Sequence, residues 1–137
     1  GFSLDGTRQL SAPHPISGRG AETLSRLATA AAPDRLMLAH YGGDGARYVA
    51  HVDNDPDVAD ENQPGSRTCD RSVTAIVYIN PGWQQAHGGC LRVELEGGQG
   101  ATDVAPSAGR MVLFDSRRMV HEVLPSFCGR GAMTAWI

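Results

Sequence analysis

Ser72-Val73-Thr74-Ala75-Ile76-Val77-Tyr78-Ile79-Asn80 is the stretch from which the rest of the chain is read. It is strongly apolar, free of Gly and Pro, and short, which fits a buried strand better than a helix. Because successive side chains in a strand alternate, Thr74, Ile76 and Tyr78 share one face. Upstream, Arg35–His40 and Arg47–Asp53 carry a period-two pattern and read as two more strands. The turn Gly42-Gly43-Asp44-Gly45 separates them. Downstream, Gly88-Gly89 precedes Cys90–Glu96, where Leu91, Val93 and Leu95 alternate with Arg92, Glu94 and Glu96, and Gly97-Gly98 closes that run. Arg110–Asp115 and Gly131–Ile137 are two further strand candidates.

Further out the pattern changes. Ala21, Leu24, Leu27, Ala28 and Ala31 fall on one face of a helix predicted over Gly20–Ala32, with Glu22 near its start and Pro33 after its end. This helix is expected to pack on a sheet. Residues 1–16 read as irregular, with Pro13 and Pro15 as breakers. Asn54–Asp70 reads as a long solvated loop, since its Asp55, Asp57, Asp60 and Glu61 lack the glycine and spacing of a calcium-binding EF-hand. Many short strands after one leading helix predict a mainly β fold, a double-stranded β-helix (jelly roll) with a supporting N-terminal helix.

The 137 residues suit a single domain spanning 1–137. The first residue is Gly1 and not Met, so an excised catalytic domain is the expectation. Seventeen glycines and eight prolines agree with many turns between short strands. A net charge of −3 and a pI near 5.9 disfavour a nucleic-acid partner. No apolar run approaches the roughly 20 residues of a membrane-spanning helix, and Gly1-Phe2-Ser3-Leu4-Asp5 lacks the basic and apolar regions of a signal peptide. Cys69, Cys90 and Cys128 match no zinc or redox spacing and read as isolated thiols of a reducing compartment, the cytoplasm or nucleus. A monomer is expected.

His51 and Asp53 are two apart on a predicted strand, so an imidazole and a carboxylate face the same way. His121 follows 68 residues later, far enough for several strands to return beside the first. Two His and one carboxylate on one side of a metal leave open positions opposite, as non-haem iron(II) enzymes need. Alone, such a trio is a weak signal. Arg130, nine residues after His121, strengthens it. It shares a strand face with Ala132, Thr134 and Trp136, and a guanidinium grips a carboxylate with two parallel hydrogen bonds. Arg130 is therefore the candidate anchor for a dicarboxylic cosubstrate, with the Thr134 hydroxyl as a second donor. Trp136 reads equally well as core packing. The Tyr78 phenol, on an apolar wall, needs a partner, either a backbone carbonyl or the cosubstrate.

The stretches Met37–Tyr41, Gly45–Asp53, Arg71–Asn80, Trp83, Gly88–Arg92, Phe114–Arg118, His121-Glu122-Val123 and Arg130–Trp136 resemble, in this order, the catalytic core of the hypoxia-inducible-factor prolyl hydroxylases and their bacterial and protist relatives. The resemblance covers roughly residues 36–137. It implies a jelly roll that holds Fe(2+) through His51, Asp53 and His121, and 2-oxoglutarate through Arg130 and Tyr78. It implies a pocket lined by Met37, Tyr41, Ile76, Leu91, Val123, Thr134 and Trp136, with Arg71 near the substrate entrance. The implied reaction is 4-hydroxylation of a proline in a protein substrate. O2 and 2-oxoglutarate would be consumed, with succinate and CO2 released, ascorbate as a candidate reductant, and oxygen sensing as a candidate role. The Asn54–Asp70 loop is longer than in the animal enzymes, which leaves the substrate open. Two alternatives stand beside this reading: a 2-oxoglutarate oxygenase acting on a non-proline or small-molecule substrate, and a non-catalytic metal-binding jelly-roll module.

Overall fold

The computed structural model describes Pro33, residues 36–54 and residues 71–137. The helix expected over Gly20–Ala32, the irregular residues 1–16 and most of the Asn54–Asp70 loop lie outside the described residues.

Within them the chain forms eight strands: β1 (Leu36–Tyr41), β2 (Ala46–His51), β3 (Val73–Tyr78), β4 (Leu91–Glu94), β5 (Ala101–Val104), β6 (Met111–Asp115), β7 (His121–Ser126) and β8 (Arg130–Trp136). They assemble into two four-stranded sheets, ordered β1-β8-β3-β6 and β2-β7-β4-β5. Every strand pairing within them is antiparallel. Apart from the β4–β5 hairpin, each strand is followed by one in the opposite sheet, which is the winding of a double-stranded β-helix.

The six expected strands are present, with ends shifted by one or two residues as turns trim them. β5 and β7 have no counterpart among the expected strands. β5 is four residues, Ala-Thr-Asp-Val, too short for a readable period. β7 contains Pro125, which argues against a strand inside a sheet because proline cannot donate to the ladder. The register between β2 and β7 shows how it is accommodated. Ala46 pairs with Ser126 and Tyr48 with Val123, so Leu124 and Pro125 fall where the ladder is irregular.

The core lies between the sheets. Ile76, Tyr78, Phe114 and Ala132 come from the first sheet, Leu91 and Val123 from the second. The Thr74, Ile76, Tyr78 face of β3 is buried, as its alternation predicts. On the outer face of the first sheet, Leu38, Met133, Val77 and Met111 stand side by side across all four strands. Leu38 is 68% exposed and Met111 59%, so apolar alternation in β1 and β6 marks two faces and not one.

Beyond the end of β3, buried Asn80 takes over the work of the ladder. Its Oδ1 accepts from Gly131 N at 2.6 Å, and its Nδ2 donates to Gly131 O at 3.1 Å and Pro106 O at 2.7 Å. An amide supplies one acceptor and two donors, and all are engaged. This clamp fixes the start of β8, where Arg130 sits.

Candidate metal and dicarboxylate site

His51 is the last residue of β2 and His121 the first of β7, and the two are register partners. Their ring centroids lie 4.3 Å apart. Asp53 was expected on the same strand as His51, but β2 stops at His51 and Asp53 lies in the bend that follows. The juxtaposition survives because the bend folds the carboxylate back. Asp53 Oδ1 lies 3.4 Å from His51 Nε2 and 3.8 Å from His121 Nε2. One ligand atom from each residue falls within 4.8 Å of the other two.

Each imidazole is oriented by its own segment. His51 Nδ1 lies 2.9 Å from Val49 O, and His121 Nδ1 lies 2.9 Å from Met119 O. A carbonyl only accepts, so Nδ1 carries a hydrogen in each ring and Nε2 faces the common point, its lone pair available to a metal when that nitrogen is unprotonated. Phe114 packs against the His121 ring at 4.7 Å, and exposed Tyr48 sets its edge against His51 at 4.7 Å. Tyr48 escaped the sequence reading. It stands at an odd offset from His51 along β2, where the irregular register breaks simple alternation.

The rest of the corner holds Asp53. Thr74 Oγ1 donates to Asp53 Oδ2 at 2.5 Å and lies 2.8 Å from Ser116 Oγ. Asn54 N donates to Ser116 O at 2.9 Å, and Asn54 Nδ2 to Arg71 O at 2.7 Å. Arg71 Nη1 reaches Asp53 O at 3.4 Å, and its guanidinium lies 4.0 Å over the Trp136 ring. Burial pushes Asp53 up, but hydrogen bonds from His51 and Thr74 and the field of His121 outweigh it and hold the carboxyl below its usual range. The bond to Asp53 lifts His51 above the ordinary histidine value, whereas burial lowers His121. The hydrogen bond to Asp53 needs a proton on His51 Nε2; once that proton gives way to an ion, one anionic oxygen and two imidazole lone pairs face a common point, a donor set that suits a divalent transition metal.

Arg130 lies at the far end of the same inner wall. Its Nε donates to Gly89 O at 2.6 Å, and its guanidinium lies 4.9 Å from the Tyr41 ring and 5.3 Å from the Tyr78 ring. It is only 3% exposed, and among the described residues no carboxylate pairs with it. The Tyr78 hydroxyl is buried and its hydrogen finds no acceptor, although Arg130 approaches its oxygen, and burial pushes its pKa up to about 12. A buried, unneutralised guanidinium beside an unsatisfied phenol costs free energy unless an anion completes it. Both groups therefore fit the carboxylate of a ligand.

The inner faces of β3 and β8 connect the two ends. Thr74 pairs with Trp136, Ile76 with Thr134, and Tyr78 with Ala132. Thr74 and Tyr78 are four residues apart on β3, about 13 Å at the rise of a strand. The metal corner and the basic end thus lie at opposite ends of one wall. Thr134 is buried at the midpoint, with Leu91 and Val123 opposite in the core. The Trp136 indole N–H is buried without a hydrogen-bond partner of its own, yet is near enough to Asp53 to favour its charge. Tyr41 is half-buried, and burial raises its pKa. Met37 faces the same way as Thr134, its register partner, but on edge strand β1 it is 43% exposed.

A jelly roll carrying two histidines and an aspartate around one point, with a basic residue buried deeper in the barrel, defines the class of mononuclear non-haem iron oxygenases. Residues 36–137 match the model of the 2OG-Fe(II) oxygenase superfamily, and the chain belongs to that family. The chain is 42% identical over 104 residues to prolyl hydroxylase EGLN3 of Mus musculus, covering 74% of this chain and 39% of that protein. It is 44% identical to the hypoxia-inducible factor prolyl hydroxylase of Caenorhabditis elegans, covering 74% of this chain and 13% of that one. Among solved structures, a Pseudomonas putida prolyl-4-hydroxylase is similar with a TM-score of 0.60 and 37% identity, over 74% of this chain and 50% of that one. A Trichoplax adhaerens prolyl hydroxylase, solved with a hypoxia-inducible-factor peptide fragment, is similar with a TM-score of 0.64 and 27% identity, over 88% and 58%. The chain thus spans about two fifths of the length of the mouse relative.

Proposed function

We propose that this chain is a prolyl 4-hydroxylase, acting on a proline of a protein substrate with O2 and 2-oxoglutarate and releasing succinate and CO2. The observation that carries the reading is Arg130, buried and without a carboxylate partner among the described residues, on the same inner wall as the His51, Asp53, His121 cluster. Similarity to EGLN3 and to the Trichoplax enzyme supports a prolyl substrate within the family.

The residues fit both implied groups. His51 and His121 would hold the iron through Nε2 and Asp53 through Oδ1. When bound, iron and 2-oxoglutarate supply the oxidising power for hydroxylation. Everything else is the work of the chain. Arg130 keeps its charge and, with Nε committed to Gly89 O, offers its terminal nitrogens to the far carboxylate. Tyr78 stays protonated and adds a hydroxyl donor, and Thr134 stands beside the path. Ile76, Leu91 and Val123 keep that path dry, which strengthens each charge-assisted bond and excludes side reactions. Arg71 stacked on Trp136 flanks the metal corner, where a peptide would approach.

Intact-mass and fragment analysis of candidate proteins treated with the enzyme tests the reading. One added oxygen on a proline, dependent on 2-oxoglutarate and absent with Asp53→Ala, is the expected result. Iron-dependent succinate release that persists in both His51→Ala and Asp53→Ala would refute the metal ligands. Turnover confined to small molecules would refute the prolyl substrate.

A further inference from the structure

Asp53 belongs to the second sheet's side of the molecule, just past β2, yet its second oxygen is held from the first sheet. Thr74, on β3, donates to Oδ2, and Ser116, in the turn after β6, lies at hydrogen-bond distance from Thr74. Both hydroxyls are 0% exposed. The direction of the hydrogens follows from chemistry. An ionised carboxylate only accepts, so the Thr74 hydrogen points to Asp53 and the Thr74 oxygen accepts from Ser116. Bonds aligned this way polarise and strengthen one another where water is excluded. Ser116 is itself fixed through its backbone, with N donating to Ser72 O at 3.0 Å and O accepting from Asn54 N at 2.9 Å.

We infer that Thr74 and Ser116 are positioning residues for the metal site: their hydroxyl relay locks Oδ2, so that Asp53 turns only Oδ1 toward the two imidazoles and leaves the opposite side of the ion free. This rests on the assignment of His51, Asp53 and His121 as metal ligands and extends it to two side chains that would not touch the metal.

The test titrates the purified full chain with Co(II), read by visible absorption, alongside Thr74→Val, Thr74→Ser, Ser116→Ala and His51→Ala. Thr74→Val removes the donor at nearly constant shape. It is expected to weaken Co(II) binding about 10- to 100-fold, the usual range for groups that orient metal ligands. It is also expected to alter the absorption of the saturated protein, because the carboxylate is free to rotate. Thr74→Ser keeps the donor and restores both readouts, and Ser116→Ala, which leaves the Thr74 bond intact, gives a smaller loss. Wild-type affinity and spectrum in Thr74→Val would overturn the inference. So would equal losses in Thr74→Val and Thr74→Ser, since packing alone would then explain the effect. Should Thr74→Val not fold, Ser116→Ala decides, and unchanged affinity and spectrum there would overturn the relay. His51→Ala separates the layers: if it too binds Co(II) normally, the ligand assignment fails, and the relay with it.

Discussion

Arg130 enters the interior with one nitrogen already engaged by Gly89 O, so what it presents to a ligand is the forked end of the guanidinium. A lysine would bring charge without the fork. Arg130→Lys is expected to raise the apparent KM for 2-oxoglutarate at least about 10-fold, in line with the roughly 1.5–3 kcal/mol of a charge-assisted hydrogen bond. Steady-state succinate release measures it, and an unchanged KM would contradict the role. Tyr78 gives a pH prediction. An ordinary tyrosine ionises near pH 10, but burial carries this one to about 12. The raised value favours the neutral donor, so affinity for 2-oxoglutarate, where protein and iron tolerate the pH, should show no loss titrating near 10. A loss centred there would mean that the phenol is not buried as described. At this scale the sequence was informative wherever chemistry leaves a spacing. The His51, Asp53, His121 cluster was legible only together with Arg130 and the stretches around it, since two histidines and an aspartate alone are a weak signal. Thr74 and Ser116 were not, because hydroxyls 42 residues apart carry no pattern until the turn after β6 brings them together.

The strands β3, β4 and β8 were legible because each is an unbroken run whose apolar side chains alternate or whose length rules out a helix. β7 was missed although it lies between β2 and β4 and carries His121. Its signal is interrupted by Pro125, which the irregular register admits. The loop ahead of β4 offers the sharpest test at this scale. Gly89 adopts φ +69°, and a Cβ there would lie 2.7 Å from Arg130 Cδ and 2.9 Å from Ser126 Oγ. Gly89→Ala therefore meets backbone strain of about 1–2 kcal/mol and also pushes the anchor out of line. The expected outcome is a lower Tm together with a KM for 2-oxoglutarate raised beyond what the loss of stability explains. Thermal melts paired with kinetics at a temperature well below Tm separate the two. A matching test lies in Asn80, whose amide holds Gly131 N and shares Gly131 O with the Ile79 N–H. Asn80→Ala leaves buried backbone groups unsatisfied and is expected to cost about 1–3 kcal/mol in denaturant unfolding.

Across the whole molecule, the groups proposed to hold ligands are divided between the sheets. His51 and His121 belong to the second, and Arg130, Tyr78 and Thr134 to the first. Asp53, next to the second sheet, is tied to the first by Thr74. Among the described residues six buried side chains form the apolar cluster between the layers, and this polar seam joins the layers beside it. A metal alone would engage one layer, and a dicarboxylate alone would engage chiefly the other. Together they would behave as a rivet driven through both plates. Fe(II) and 2-oxoglutarate at about 100 times their dissociation constants, without oxygen, should raise Tm by on the order of 10 °C, well beyond either partner alone. Resistance to limited proteolysis should rise in step. On that expectation the empty barrel would be the looser one, and a cell's proteases would sort loaded copies from unloaded ones without any dedicated sensor.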